Sequence, residues 1–148
     1  MEGLVIGSLA PEHLPQVVEL HRTILPFELN LEQARARLPE LMEREDYRIF
    51  CASEGDEVLG TVTAICCKAL SGNFLVLEDF VVKPGRTGKG IGGKIMEAVD
   101  AFAKEQNCGY AILVSSGFRT DAHRFYYNHG FTDDVKGFRK VYGTGDLV

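Results

Sequence analysis

Apolar residues recur along this chain with two different periods, and the change from one to the other marks out its elements. Leu4-Val5-Ile6 is a short apolar run closed by Gly7-Ser8 and predicts a strand. Pro11 then opens a helix whose apolar positions Leu14, Val17, Val18 and Ile24 return at helical spacing until Pro26 breaks it. A second, more charged helix is predicted from about Leu31 to Met42, with Leu31, Ala34, Leu38 and Leu41 on its apolar side. The pattern then turns to β: Tyr47 to Ala52 and Glu57 to Cys66 read as strands joined by a hairpin-type turn at Glu54-Gly55-Asp56. Leu70-Ser71-Gly72-Asn73 is another turn, and Phe74 to Lys83 a third long strand.

Helical spacing returns from about Gly90 to Gln106, where Ile91, Ile95, Val99 and Phe102 form a buried stripe. Asn107-Cys108-Gly109 ends that helix with residues that tolerate a left-handed conformation. Tyr110 to Val114 predicts a short buried strand, and Asp121 caps a last short helix stopping at Gly130. The alternation from Phe131 to Tyr142 is enough for one or two closing strands. This order predicts an α/β or α+β fold in which a mixed central β-sheet is flanked by about four helices, with residues 1–148 as one domain.

Composition narrows the classes of partner. The 148 residues are 45% hydrophobic and 25% charged, the balance of a globular chain with a real core. A formal net charge of −5 argues against nucleic acid as the main partner and fits a cationic small molecule or peptide better. No apolar run approaches a membrane span, and Met1-Glu2-Gly3 opens without a basic, hydrophobic leader, so a cytoplasmic address with no membrane contact is expected. Cys51, Cys66, Cys67 and Cys108 contain no C-x-x-C pair, and His13, His21, His123 and His129 lack metal-ligand spacing. No metal is expected; the thiols read as reduced small hydrophobes and the histidines as surface or packing residues.

The segment that carries chemistry is Val81-Val82-Lys83-Pro84-Gly85-Arg86-Thr87-Gly88-Lys89-Gly90-Ile91-Gly92-Gly93, where an apolar strand meets a glycine-rich cationic turn and then a helix. Such a junction aims several backbone N–H groups and the positive end of a helix dipole at one spot, which suits a phosphate. Gly88, Gly90 and Gly93 satisfy the dinucleotide pattern G-x-G-x-x-G, but the next strand ends Leu113-Val114-Ser115-Ser116 without the carboxylate such a site needs for a ribose. Gly93-Lys94 also resembles the end of a nucleotide P-loop, yet Ile95 stands where a hydroxyl should meet magnesium.

A third pattern fits better. Val82-x-Pro84-x-x-x-Gly88-Lys89-Gly90-Ile91-Gly92 resembles the acetyl-CoA loop of the GNAT N-acetyltransferase superfamily, and Ala122-His123-Arg124-Phe125-Tyr126-x-x-x-Gly130-Phe131 resembles its second signature in the right order. The resemblance, which runs over roughly Phe74 to Phe131, implies acetyl transfer from acetyl-CoA, as co-substrate, to an amine. It places the pyrophosphate on the loop, with Arg86, Thr87, Gly88, Lys89, Gly90, Ile91, Gly92 and Gly93 as contacts, and the pantetheine arm along Phe80, Val81 and Val82. The chain departs from the family at Thr87, where arginine or glutamine is usual; here the arginine comes one residue earlier, at Arg86.

By the same resemblance Glu78 is the general base, with Asp79 as second choice on the opposite strand face, and Tyr126 is the general acid that protonates the leaving thiolate. Asn128 is expected at the CoA arm, and Tyr127 on the outer side of its helix. Substrate choice in the superfamily comes largely from the segment between the first two helices and from the C-terminal strands, here Leu25 to Asn30 and Thr132 to Phe138. Glu28, Asp133 and Asp134 would then attract a cationic amine, with Phe27 and Phe138 as apolar walls. The run from Arg119 to Tyr126 looks most like small bacterial members that acetylate small amines such as aminoalkylphosphonates or amino sugars, with Arg119 and Arg124 near a substrate anion. Peptide N-acetylation, a non-catalytic CoA-binding domain and, more distantly, a dinucleotide module remain as alternatives, and a homodimer is allowed but not required.

Overall fold

The structure, a computed structural model, describes residues 3–25, 28–114 and 120–142. Pro26, Phe27, Ser115, Ser116 and Arg119, to which the sequence assigns a helix break, a substrate wall, a strand end and an anion contact, lie outside the described residues. The chain divides into two compact units, Met1–Leu113 and Val114–Val148.

The first unit is built on a five-stranded sheet in the order β1-β2-β3-β4-β5: β1 Leu4–Ser8, β2 Tyr47–Glu54, β3 Glu57–Ala69, β4 Gly72–Val82 and β5 Cys108–Leu113. The first three pairings are antiparallel and β4–β5 is parallel, as a strand–helix–strand crossover requires. The crossover is α3, Ile91–Glu105. The mixed sheet and its helices match the fold expected from the pattern. α2, Leu31–Met42, has the bounds its apolar spacing predicts, and Asn30 caps it by accepting a hydrogen bond from the Gln33 N–H at 3.0 Å. α1 is Leu14–Arg22, entered through one 3-10 turn at Pro11–His13, so Ile24 falls past the helix yet still packs on the core.

Alternation along the strands sends neighbouring residues to opposite faces. Phe50 meets Phe102 of α3 edge to face, ring centroids 6.0 Å apart, while Cys51 joins Leu14, Val17 and Val18 of α1 and Leu38 of α2. Helices thus cover both faces, α3 on one and α1 with α2 on the other. β3 and β4 form a long hairpin that continues beyond the predicted ends to Ala69 and Gly72. Asn107 takes φ 57, as the end of α3 needs, but Cys108 and Gly109 already belong to β5.

The second unit contains α4, Thr120–Asn128, so Asp121 sits in its first turn rather than at its cap. Gly130 leaves the helix with φ 94. The closing strands expected in 131–142 do not form: those residues enter no ladder, and Phe138 and Tyr142 are 88% and 87% exposed. Alternating apolar residues specify a strand only where one face is covered, and here neither is.

Candidate active site

β4 runs straight into the glycine-rich segment, and the backbone there adopts what only glycine holds cheaply. Gly85, Gly88 and Gly90 have φ of 88, 78 and 84°. Gly90 is the N-cap of α3 and offers no side-chain acceptor, and the first turn contains no acid. The first backbone bond of the helix runs from the Lys94 N–H to the Gly90 carbonyl at 3.2 Å, so the N–H groups of Ile91, Gly92 and Gly93 precede it and need another acceptor. A Cβ placed at Gly88 or Gly90 would meet no protein atom within 4 Å. Both glycines therefore serve the backbone conformation and the open approach to it, not internal packing. Orphan donors, a helix N-terminus and bare backbone fit a pyrophosphate.

The cations of the loop divide. Arg86 donates to Glu57 of β3 at 3.1 Å, and Lys83 holds the other oxygen of the same carboxylate at 2.5 Å. The hydrogen bond from Lys83, helped by the charges of Lys83 and Arg86, holds the Glu57 carboxyl below its usual range. Arg86 is thus committed to anchoring the loop to β3, whereas Thr87 and Lys89 are exposed.

Upstream of the loop, β4 is bulged. Thr61 pairs with Val81 and Thr63 with Glu78, so Asp79 and Phe80 together oppose Val62. Asp79 takes the bulge in a left-handed conformation, φ 54, unusual for a residue with a side chain. The sequence placed Asp79 opposite Glu78 by simple alternation; the bulge cancels that alternation. Glu78 is exposed and, through its pairing with Thr63, lies on the face covered by α1 and α2. Both carboxylates act on Tyr47 of β2: burial first, then the charge of Asp79 and more weakly that of Glu78, push its phenol upward, against a hydrogen bond with Thr63. His21 of α1 also borders this place; burial lowers its imidazole and the charge of Asp79 partly restores it. Thr61 and Thr63, 0% and 4% exposed, add hydroxyls to an otherwise apolar layer, and Thr61 donates to the Phe50 carbonyl at 2.8 Å.

The structure therefore gathers Phe80, Val81, Val82 and the loop from Arg86 to Gly93 at one strand-to-helix junction, with Glu78 on the same strand. It adds Tyr47 and Thr63, which the sequence reading did not single out, and His21, which it took for a surface or packing residue. A signal for His21 was present: it lies four residues after Val17 and three after Val18, so it continues the buried stripe of α1.

Tyr126 and Asn128 belong to the second unit. Tyr126 is 9% exposed, and its ring meets Phe125 and Phe131 edge to face at 5.6 and 6.0 Å. The Phe131 N–H returns to the Tyr126 carbonyl at 3.0 Å, which fastens the second signature into one compact turn. Asn128 is exposed, and Tyr127 faces outward, its hydroxyl 3.2 Å from Asp134. A cysteine nucleophile has no support: burial pushes Cys51 and Cys108 each up to about 11. Among the described residues no three His, Cys, Asp or Glu side chains are grouped to hold a metal, and no helix is long and apolar enough to cross a membrane.

Comparison with known proteins identifies the family. The model of the acetyltransferase (GNAT) family matches residues 14–131, and the chain belongs to that family. N-acetyltransferase YhdJ of Bacillus subtilis, itself uncharacterized, is 30% identical over 115 residues, 76% of this chain and 81% of that protein. Streptothricin acetyltransferase of Streptomyces lavendulae is 34% identical over 89 residues, 60% of this chain; the match spans only 47% of that longer protein. Glucosamine-6-phosphate N-acetyltransferase from Arabidopsis thaliana superposes with a TM-score of 0.82 at 21% identity, over 96% of this chain and 100% of the other. An aminoglycoside acetyltransferase from a soil metagenome gives 0.76 at 19%, over 96% and 97%. The last two establish the fold. Membership of the family makes this chain an N-acetyltransferase of the GNAT type.

Proposed function

We propose that residues 1–148 act as one domain that moves an acetyl group from acetyl-CoA to the amine of a small molecule by direct attack. The observation that carries this reading is the β4–α3 junction: three positive-φ glycines, an uncapped helix start and the preceding orphan N–H groups, directly after a bulged strand. The backbone N–H groups of Gly88 to Gly93, with the Thr87 hydroxyl and the Lys89 charge, would hold the pyrophosphate. Arg86 keeps the loop in place through Glu57 and adds positive charge beside it. Phe80, Val81 and Val82 offer the strand edge to the pantetheine arm, and a main-chain N–H opened by the bulge would polarise the thioester carbonyl.

An alkylamine has a pKa of about 10.4, so near neutral pH only about one molecule in a thousand is ready to attack. Glu78 takes a proton from the amine as its lone pair bonds to the carbonyl carbon; the carbon–sulfur bond then breaks and the thiolate takes a proton from the Tyr126 hydroxyl. The role of Tyr126 rests on the second signature, and that of Asn128 beside the CoA arm on its position two residues later. A small-molecule acceptor is supported by the relatives: streptothricin, aminoglycosides and glucosamine-6-phosphate are what three of them are named for acetylating.

Calorimetric titration with acetyl-CoA, with NAD and ATP as controls, tests the loop; selective micromolar binding is expected, and indifference to acetyl-CoA would sink the reading. Tyr126→Phe is expected to lower kcat by about 10²-fold with acetyl-CoA affinity nearly unchanged, because only the proton is removed. Unaltered turnover would show that the thiolate leaves without that phenol.

A further inference from the structure

Glu57 opens β3, half-exposed, and both of its carboxylate oxygens are taken: Oε2 by Lys83 at 2.5 Å and Oε1 by Arg86 at 3.1 Å. Ion pairs this open to solvent are screened and add little to folding stability, so stability does not account for two of them on one carboxylate. Both ends of the cluster are held in place by further hydrogen bonds. Glu57 pairs with Glu54 across the β2–β3 turn. On its other side the Gln16 amide of α1 grips the chain around it: Nε2 donates to the Asp56 carbonyl at 2.7 Å, and Oε1 accepts from the Val58 N–H at 2.8 Å. That amide stands in for a strand neighbour and fixes the backbone from which the carboxylate projects. The cations sit on a turn. The Lys83 N–H donates to the Leu59 carbonyl at 2.8 Å, and the Arg86 N–H returns to the Lys83 carbonyl at 2.9 Å, with Pro84 and Gly85, φ 88, between them. Proline followed by a positive-φ glycine is the sequence of a type II turn, which brings its first and last residues together. Here those two residues meet on one carboxylate, just before Gly88.

We propose that Glu57, held by Gln16, is a positioning residue for the diphosphate of acetyl-CoA: it fixes the Lys83–Arg86 turn and, through it, the direction in which the N–H groups of Gly88 to Gly93 point. The proposal rests on the acetyl-transfer reading and deepens it, because it gives the loop a support that lies outside the glycine-rich segment. Glu57 acts through Lys83 and Arg86, not on the reacting atoms. A segment with this many glycines has much conformational freedom to lose when a ligand orders it. A turn arranged beforehand reduces that loss, and the saving appears as affinity for the group the loop holds. The same geometry gives the displaced arginine a use. Arg86 tethers the loop from the protein side, which leaves the diphosphate to the backbone N–H groups, the Thr87 hydroxyl and Lys89.

The test is calorimetric and needs no acceptor amine. Wild type, Glu57→Gln, Glu57→Asp and Gln16→Ala are titrated with acetyl-CoA and with phosphoadenosine diphosphate, the nucleotide half of CoA, and their thermal melts are recorded. Glu57→Gln is expected to raise Kd about five-fold for both ligands, since both carry the diphosphate. Its Tm should stay within about 2 °C of wild type, because the ion pairs are exposed. Glu57→Asp keeps the charge, and the long Lys83 and Arg86 side chains can follow one lost methylene, so Kd should return to within about two-fold of wild type. Gln16→Ala strips the buried Val58 N–H of its acceptor; it should lower Tm and, measured well below its melt, raise Kd about three-fold. An unchanged or tighter Kd in Glu57→Gln would show that the carboxylate only withholds its two cations from the diphosphate, and would overturn the proposal. So would equal losses in the Gln and Asp variants, or a loss on acetyl-CoA with none on its nucleotide half. Each of these leaves acetyl transfer standing. A wild type that binds neither ligand would overturn both readings.

Discussion

Gly60→Val is expected to destabilise the protein by about 1–3 kcal/mol, seen as a Tm lower by roughly 2–12 °C for a chain of this size. Gly60 faces α3 from the first third of β3. A Cβ there would stand 2.8 Å from the Ile95 Cδ1, 3.2 Å from the Val81 carbonyl oxygen and 3.4 Å from the Ile91 Cγ2. The Ile95 methyl can rotate aside, so Gly60→Ala should fall at the low end of that range. The Val81 oxygen belongs to the β3–β4 hairpin and has nowhere to go, and valine adds two more carbons against it.

The same change should be felt in function. Ile91 is the first residue of α3, and pushing it outward displaces the helix start on which the orphan N–H groups sit. Weaker acetyl-CoA binding should therefore accompany the loss of stability. Gly7→Ala is the control: a Cβ there would meet nothing within 4 Å, and the change should stay within about 0.5 kcal/mol. Thermal melts and urea titrations of the three variants decide it. A Gly60→Val protein as stable as the wild type would mean that α3 does not pack on β3 as closely as these distances require.

Gly60 illustrates what the sequence conceals. A glycine inside a strand advertises a close approach but not what approaches. α2 was legible because Leu31, Ala34, Leu38 and Leu41 repeat every three or four positions; the cap at Asn30 is what the structure adds. The glycine turn was legible because its function lives in the backbone, and glycine is how a sequence writes backbone conformation. The bulge was not. Leu75, Leu77 and Val81 are all buried and follow an unbroken two-residue rhythm with Asp79. Yet Leu77 pairs with Ala64, next to Thr63, whereas Val81 packs with α1 on the other face. Only the register of the partner strand reveals the extra residue, and pairing partners are not encoded locally. The 131–142 segment misled for the complementary reason: its alternation is genuine, but a period of two says nothing about whether a face will be covered.

Glu78→Gln is the change with the largest expected effect on chemistry, a fall in kcat of about 10²–10⁴-fold with acetyl-CoA affinity intact. Glutamine preserves shape and hydrogen bonding but cannot take a proton. Carboxylates are weak bases beside alkylamines, about 4.3 against about 10.4, so transfer from the free ammonium is uphill. Transfer becomes favourable when it comes instead from the free amine, as its lone pair bonds to the carbonyl carbon and its N–H bonds acidify. A base in this position acts in the transition state more than in the ground state, and its loss should lower kcat and kcat/KM together with little change in KM. The candidate to separate it from is Asp79, its neighbour at the bulge, whose charge acts on the same Tyr47 phenol. If Asp79→Asn proved the variant with the collapsed kcat and Glu78→Gln turned over normally, the base would be the strained carboxylate at the bulge. The left-handed conformation of Asp79 would then serve proton transfer.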